Sequence, residues 1–487
     1  MDNHINIFDS LPFELLELIF EYLNPDDLKS LLNLCGRTRN VIIASPISMR
    51  KLKLTLMENW NQKVPFVREN GEFVKILNFE FCDFDSPEQF REMMKMMRNI
   101  EELKLADLHI DAEKMNRKFR KYFIDLEFLR KLDVDNSKSV GKLLRLYLKD
   151  LHVDHLRLDF SHFNVTNEFV RLLWHQPWIK TLELSGFDNI IYKSLFSHDI
   201  SYMITYSLKK LVLNFRITPN ENFLKFFKIL ETLECLEIHK EVEYPEFLNA
   251  IFEMDSLRSL TLATHFVTLR NIDFKKIGNS SLTDLTLVTR SQYGIETTIN
   301  FMIEKFLCLK SLKVINQKTD SSDQMLAFVK LRVENFEVEN SKMKFFQNIK
   351  FEGLKKLKIS QIHSFLKFED WENFFKLNNQ IEELILSDFE VYYVTEMIKI
   401  EIDKIIYNLS QILKTLKYFE ISQELRYQKP IKLIIKQDEK HKVMMVSDSF
   451  IKIFRKEFHM LRKNHKFDVK YIDDDCFQIN NKYLVEK

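Results

Sequence analysis

His152 and His155 stand three residues apart and are the first place to look for a metal site. A zinc-hydrolase helix spaces its histidines as HExxH, and here no second cysteine or carboxylate cluster completes a ligand set. His155 is expected to face solvent from a strand instead. Asp473, Asp474 and Asp475 are concentrated negative charge, but no EF-hand ligand series or glycine accompanies them, so they read as an acidic turn. The cysteines Cys35, Cys82, Cys235, Cys308 and Cys476 are scattered singly, without a CxxC pair or a neighbouring base in sequence. The residues that could do chemistry thus point to a non-enzyme that needs no cofactor and no metal.

Composition narrows the classes further. The chain of 487 residues contains 7 glycines and neither a GxGxxG nor a GxxxxGK[ST] motif. Both motifs need glycine so that the backbone can approach a phosphate, which argues against nucleotide enzymes of those types. Basic and acidic residues number 72 and 71, a net charge of +1, so no global field draws nucleic acid or an anionic membrane. The opening MDNHINIFDS is polar rather than basic-then-apolar, and no apolar run approaches the ~18 residues of a membrane span. With its single cysteines the chain reads as a reduced protein of the cytoplasm, the nucleus or both.

The elements that hold such a chain together begin with the stretch LPFELLELIFEYLNPDDLKSLLNLCGRTR, residues 11–39. Pro12 suits a first helical turn, and Leu11, Leu15, Leu18, Ile19, Tyr22 and Leu23 recur at three- and four-residue steps. Phe13, Leu16 and Phe20 widen that apolar surface. Asn24 is an N-cap for a second helix, with Pro25 next, Asp27 at the third position, a stripe of Leu28, Leu31, Leu32 and Leu34, and Gly36 as its close. The combination of Leu11-Pro12, Glu14-Leu15-Leu16, Ile19-Phe20, Tyr22-Leu23, Pro25, Asp27-Leu28 and Cys35 resembles an F-box over roughly residues 8 to 50. It departs from the family at Thr38, near which many members carry tryptophan, ahead of a third helix near Val41 to Ala44. The resemblance implies docking on the Skp-family adaptor of a cullin-RING ubiquitin ligase. Leu11, Pro12, Leu15, Ile19, Phe20, Leu23, Leu28 and Leu31 are the adaptor-facing candidates, some of which must hold the helices together.

Beyond it a unit ΦxxΦxΦ, with Φ apolar, recurs fourteen times, first as ILNFEF at Ile76 and last as LKYFEI at Leu416. Each ΦxΦ end alternates like a strand, and helix-like segments follow, for example from Ser86-Pro87-Glu88 and from Tyr244-Pro245-Glu246. Strand and helix in alternation resemble the leucine-rich repeat, which implies an α/β solenoid with parallel strands on its concave side and helices on its convex side. The repeat asparagine three positions after the last Φ is absent, and Phe84, Leu108, Phe187, Ile362 and Phe389 take that place in several copies. Clusters such as Phe223, Phe226 and Phe227, or Phe374 and Phe375, are expected in the layer between strands and helices. KLKLTL (51–56), followed by an Asn70-Gly71 turn, reads as a cap on the array's first edge. KLIIK and KVMMV are expected to pair across QDEKH, with a helix near Phe450 to Leu461 and a last pair of strands beyond. The resulting division is an F-box at 1–50, a linker and cap at 51–75, repeats at 76–424 and a C-terminal cap at 425–487.

In such an array the variable strand residues share one face. That stripe is charged early, at Lys104, Asp133, Asp135, Arg157, Asp159 and Glu183, and later small, at Ser259, Thr261, Ala263, Thr286 and Val288. Thr261, His265, Phe266, Thr286, Arg290, Tyr293 and Lys313 are the candidate substrate-binding residues, small side chains flanked by aromatics and cations that would form a recess for an anchor. Two functions are compatible with this. One is the substrate-recognition subunit of a ubiquitin ligase that holds an unidentified protein; the other is a leucine-rich-repeat binding or inhibitor protein whose N-terminal helices only cap the solenoid.

Overall fold

The computed structural model describes residues 11–32, 36–45, 48, 53–58, 60–110, 126–135, 152–161, 173, 176–186, 207–217, 221–264, 281–289, 306–316, 329–339, 349–362, 374–389, 416–423, 431–437, 442–453, 455, 459 and 468–472. They fall into two compact units, Met1–Ile238 and His239–Lys487.

The first unit opens with three helices, α1 (Phe13–Tyr22), α2 (Pro25–Leu32) and α3 (Gly36–Ala44). Gly36 begins the third helix rather than closing the second. Strand β1 (Lys53–Leu56) and helix α4 (Val64–Asn70) lead into β2 (Ile76–Glu80), a short β3 (Asp83–Phe84) and α5 (Pro87–Met96). Strands β4 (Glu102–Ala106), β5 (His109–Ile110), β6 (Lys131–Asp135), β7 (His155–Asp159), β8 (Thr181–Ser185) and β9 (Lys210–Asn214) follow, then α6 (Glu221–Ile229) and β10 (Cys235–Val242). β1 pairs in parallel with β2, and the parallel ladder continues through β4, β6, β7, β8, β9 and β10.

The second unit repeats the plan. Helix α7 (Pro245–Phe252) precedes β11 (Ser259–Thr264), β12 (Asp284–Thr289), β13 (Ser311–Asn316), β14 (Val329–Leu331), β15 (Asn335–Glu339), β16 (Ile349–Phe351), β17 (Lys356–Ile362), β18 (Glu383–Phe389) and β19 (Tyr418–Gln423). β11, β12, β13, β15, β17, β18 and β19 form a parallel ladder, while β14 and β16 pair beside it. Then the direction reverses. β20 (Ile431–Gln437) runs antiparallel to β19, β21 (Lys442–Ser447) antiparallel to β20, and after α8 (Asp448–Ile453) β22 (Asp468–Ile472) lies parallel to β21. The hairpin of KLIIK with KVMMV is therefore present, and β22 is the one strand beyond it among the described residues.

Every recurrent motif carries a strand of a parallel ladder, the α/β architecture of a leucine-rich-repeat solenoid. The cause is visible in the burial. In β6, β7 and β8 the Φ residues are buried and the intervening ones half-exposed, so each strand puts leucine or valine into the layer behind the sheet. The backbone fixes the offset between repeats. The Lys75 carbonyl accepts from Glu101 N at 2.8 Å and Glu102 N at 3.0 Å, the Glu101 carbonyl from Arg130 and Lys131, and the pattern recurs down the ladder. Phe223, Phe226 and Phe227 are buried, with Phe227 edge-on to both others at 5.0 and 5.5 Å between ring centres. Phe374 and Phe375 are buried in the same manner, 5.5 Å apart.

The first motif sits two residues earlier than its spelling suggests. Leu77 pairs with Leu103 and Phe79 with Leu105, so the first repeat reads Val74, Leu77, Phe79. Those three are buried, whereas Phe81 is 56% exposed with φ at 54°. The shift moves the position three beyond the last Φ from Phe84 to Cys82, and cysteine is the other residue that leucine-rich repeats accept there. Cys82 is buried, and its thiol donates to the Leu56 carbonyl of β1 at 3.1 Å. In the next repeat Leu108 fills the position and is buried; Phe187, Ile362 and Phe389 have side chains outside the described residues.

Asn70-Gly71 lies where helix α4 passes into a 3-10 turn. Asn70 ends the helix and Gly71 enters the turn with φ at −62°, so the glycine serves close approach. A Cβ there would lie 2.5 Å from the Met96 carbonyl oxygen at the end of α5. α5 itself starts where proline predicts it, with Ser86 Oγ accepting from Gln89 N at 3.4 Å.

Candidate protein-docking surfaces

The N-terminal helices close on a small core of their own. Leu16, Phe20, Leu28, Val41 and Ile42 form it, with Leu11, Leu23 and Leu31 packed against its side. α2 is capped as its sequence predicts. Asn24 Oδ1 accepts from Asp27 N at 2.8 Å, and the Asn24 amide donates back to the Asp27 carboxylate. Polar contacts tie α3 and the residue that follows it to the rest. An Arg37 Nη donates to the Leu11 carbonyl at 2.6 Å, Thr38 Oγ1 to the Leu31 carbonyl at 2.8 Å, and Ser45 Oγ to the Glu17 carboxylate at 2.7 Å. Thr38 is fully buried, so the position that departs from the family's tryptophan is one of the third helix's attachments.

That core sorts the candidate residues. Phe20 and Leu28 have no exposed surface and hold the helices together; they do not face outward as expected. Leu11, Leu23 and Leu31 are half-buried against them. Pro12 is exposed, and Leu15 and Ile19 are 47% and 40% exposed. The outward face also includes Leu18 at 52% and Tyr22 at 83%, which the candidate set lacked although Leu15, Leu18, Ile19 and Tyr22 have the i, i+3, i+4, i+7 spacing of one helix stripe. The helix is thus apolar on two faces, one spent on its own core and one left in water.

On the strand face of the first unit, charges couple neighbouring repeats. Arg157 Nη1 lies 3.3 Å from Asp133 Oδ2 and Arg157 Nε 3.9 Å from Glu183 Oε2. His155 Nε2 lies 3.2 Å from Glu183 Oε1, so this half-buried imidazole is engaged on the sheet rather than free in solvent. Burial pushes the Asp133 carboxyl up against the pull of Arg157 and Lys104, while the His155 hydrogen bond holds Glu183 below the usual range. For Asp159 burial acts upward, but hydrogen bonds from Ser161 and Ser185 outweigh it and lower the carboxyl.

In the second unit Thr261, Thr286 and Lys313 stand side by side on β11, β12 and β13, as their strand positions predict. Lys313 is not an open cation. Its ammonium lies 3.0 Å from Glu337 Oε1 and 3.6 Å from Glu339 Oε2. His265, Phe266, Arg290 and Tyr293 lie outside the described residues, as do Asp473, Asp474 and Asp475. Among the described residues no group of three or more His, Cys, Asp or Glu could hold a metal ion, and no helix is long and apolar enough to cross a membrane.

The three-helix core with its surplus stripe coincides with a recognised domain. Residues 8–47 form an F-box domain. No curated protein matches the sequence. Among solved structures, the chain is similar to one in the crystal structure of a TLR13–ssRNA13 complex, at 13% identity and a TM-score of 0.28, over 81% of this chain and 58% of that one. It is also similar to a chain in the crystal structure of the yeast Rad7 and Elc1 complex, at 11% identity and a TM-score of 0.32, over 76% of this chain and 87% of that one. The F-box match ends before β1.

Proposed function

We propose that the F-box docks on a Skp-family adaptor of a cullin-RING ubiquitin ligase and that the repeats hold a protein substrate for ubiquitination. One observation carries this reading. The F-box completes its own core with Leu16, Phe20, Leu28, Val41 and Ile42 and still leaves Leu15, Leu18, Ile19 and Tyr22 exposed on one helix face. A contiguous apolar stripe in water is the signature of a helix that docks on a partner. Leu15, Ile19 and Pro12, joined by Leu18 and Tyr22, are the adaptor-facing residues in this reading. The repeat face that bears Thr261, Thr286 and Lys313 is the proposed substrate side.

Within such a ligase the bond-forming chemistry belongs to the ubiquitin-conjugating enzyme. This chain contributes proximity, raising the effective concentration of a substrate lysine beside the thioester, and a rigid ladder that keeps the two at a productive distance. The alternative is a repeat protein whose N-terminal helices only cap the solenoid. A cap spends its apolar face on the array, whereas β1 already lies along the first repeat strand and the helix stripe stays exposed.

A pulldown with purified adaptor separates the two. Wild-type chain should retain the adaptor, and the Leu15→Asp, Ile19→Asp double variant should lose it while keeping the wild-type circular dichroism. Equal and negligible recovery by both removes the ligase reading. Unfolding of the double variant assigns the helices to a cap.

A further inference from the structure

The residue that follows the first Φ of each motif forms a row along one edge of the repeats, and the row is built from opposite charges in neighbouring strands. In the first unit Lys75 meets Glu101 at 2.9 Å, Lys180 meets Asp154 at 3.1 Å and Lys209 meets Glu234 at 2.8 Å. In the second unit Lys355 meets Glu334 at 3.1 Å and Lys417 meets Glu382 at 2.8 Å.

The pattern breaks where the second unit begins. The row there reads Arg258, Thr283, Lys310, placed consecutively by Thr283 N on the Arg258 carbonyl and Lys310 N on the Thr283 carbonyl, both at 2.8 Å. Glu334, next in the row, is taken by Lys355. The Thr283 hydroxyl donates to the Asp284 carboxylate at 2.6 Å, and Asp284 forms no ion pair with either cation. Among the described residues the side chains of Arg258 and Lys310 have no partner.

These two cations border a groove of about 810 Å³ whose walls also include Leu307, Cys308 and Val333. Leu307 is 70% exposed, an isolated apolar side chain beside unpaired positive charge. Arg332 and Glu352, also on the wall, neutralise each other at 2.9 Å. We propose that this groove binds an acidic segment of a partner protein, its anionic groups between Arg258 and Lys310 and an apolar side chain against Leu307.

Geometry sets the spacing of such a segment. Arg258 and Lys310 stand two strands apart, roughly 10 Å, and residues i and i+3 of a polyproline II segment share one face about 9 Å apart. A nucleic acid fits less well. None of the described residues that line the groove is aromatic and able to stack a base. Two unpaired cations also make the contact salt-sensitive.

Fluorescence anisotropy on the full chain tests this with a labelled ten-residue peptide that carries glutamates at its fourth and seventh positions and a leucine between them. A second arm uses phosphoserine in place of the glutamates, and a third a single-stranded oligonucleotide. R258E/K310E should weaken binding of at least one peptide by about tenfold or more, and K225E/K240E, with the same change in net charge, by less than about twofold. The tighter peptide tells whether carboxylate or phosphate is the anion. In wild type, saturating peptide should slow alkylation of Cys308, the groove-wall thiol, as read by mass spectrometry. Equal loss in both double variants, no loss in R258E/K310E, unprotected Cys308, or binding of the oligonucleotide alone overturns the proposal. The assay contains no adaptor, so its failure and the failure of F-box docking are separate results.

Discussion

Thr38 Oγ1 donates to the Leu31 carbonyl at 2.8 Å, joining the start of the third F-box helix to the end of the second. Leu31 is among the last residues of its helix, whose terminal carbonyls have no intrahelical donor. Thr38→Val keeps the shape and removes the donor, leaving a carbonyl unsatisfied beside a buried side chain. The expected cost is about 1–2 kcal/mol, with Thr38→Ser closer to wild type. Amide hydrogen exchange over residues 26–45 in the full chain reads this as faster exchange in the valine variant only.

Phe20 and Leu18 stand two residues apart on α1, yet one is fully buried and the other 52% exposed. Phe20→Ala should destabilise the F-box by about 3–5 kcal/mol, through lost transfer energy and the cavity left behind. Leu18→Ser should fall within about 0.5 kcal/mol of wild type. In the adaptor pulldown both should lose recovery, but only Phe20→Ala should also lose exchange protection. Wild-type recovery by Leu18→Ser removes Leu18 from the docking face.

Burial pushes the Cys82 thiol up from 9.0 to about 11. The folded state therefore holds that proton more tightly than the unfolded state. Stability from this group is fully present below about pH 9 and is lost as pH rises toward about 11. At pH 8 iodoacetamide should modify exposed Cys308 and leave Cys82 intact, and Cys82 should react only on unfolding. Labelling followed by peptide mass spectrometry decides it; modification of native Cys82 at a rate like that of Cys308 contradicts the buried placement.

Glu337 lies between two ammonium groups, 3.0 Å from Lys313 and 2.8 Å from Lys358. Burial acts to raise its carboxyl, but the Lys358 and Lys313 hydrogen bonds outweigh it and hold it below its ordinary 4.5. The group thus contributes stability at and above pH 4.5 that disappears as pH falls through the lower folded value. Glu337→Gln should cost roughly 1 kcal/mol at pH 7 and progressively less below pH 4, because its partners sit at a partly exposed face. Urea unfolding at the two pH values measures the difference, and an equal loss at both contradicts the assigned pairing.

Much of this was legible in the residues alone. Strands occur at every ΦxxΦxΦ motif because alternation commits one face to the core wherever a sheet forms. Asn24 and Ser86 cap helices because their side chains reach their own backbone three residues on. The register of the first repeat was not legible. ILNFEF and VKILNF fit the apolar template equally well, and only pairing with Leu103 and Leu105 selects Val74, Leu77 and Phe79. The reason for the glycine of Asn70-Gly71 was not legible either, because it answers to Met96, which lies 25 residues away in sequence.

The sequence by itself determined the architecture and the presence of an F-box. Both rest on local periodicity and on a motif carried within one short segment. Only the tertiary structure decided which apolar face of α1 is spent and which is free. Leu15 and Leu16 are equally hydrophobic, and nothing local distinguishes them; the arrival of Val41 and Ile42 buries one side and leaves the other exposed. It also decided which charges cancel. Lys310 and Lys355 occupy the same place in their repeats, but Lys355 meets a glutamate from the neighbouring strand and Lys310 does not. Charge pairing across a parallel ladder joins residues more than twenty positions apart, so it follows from the stacking of repeats and not from the order of residues.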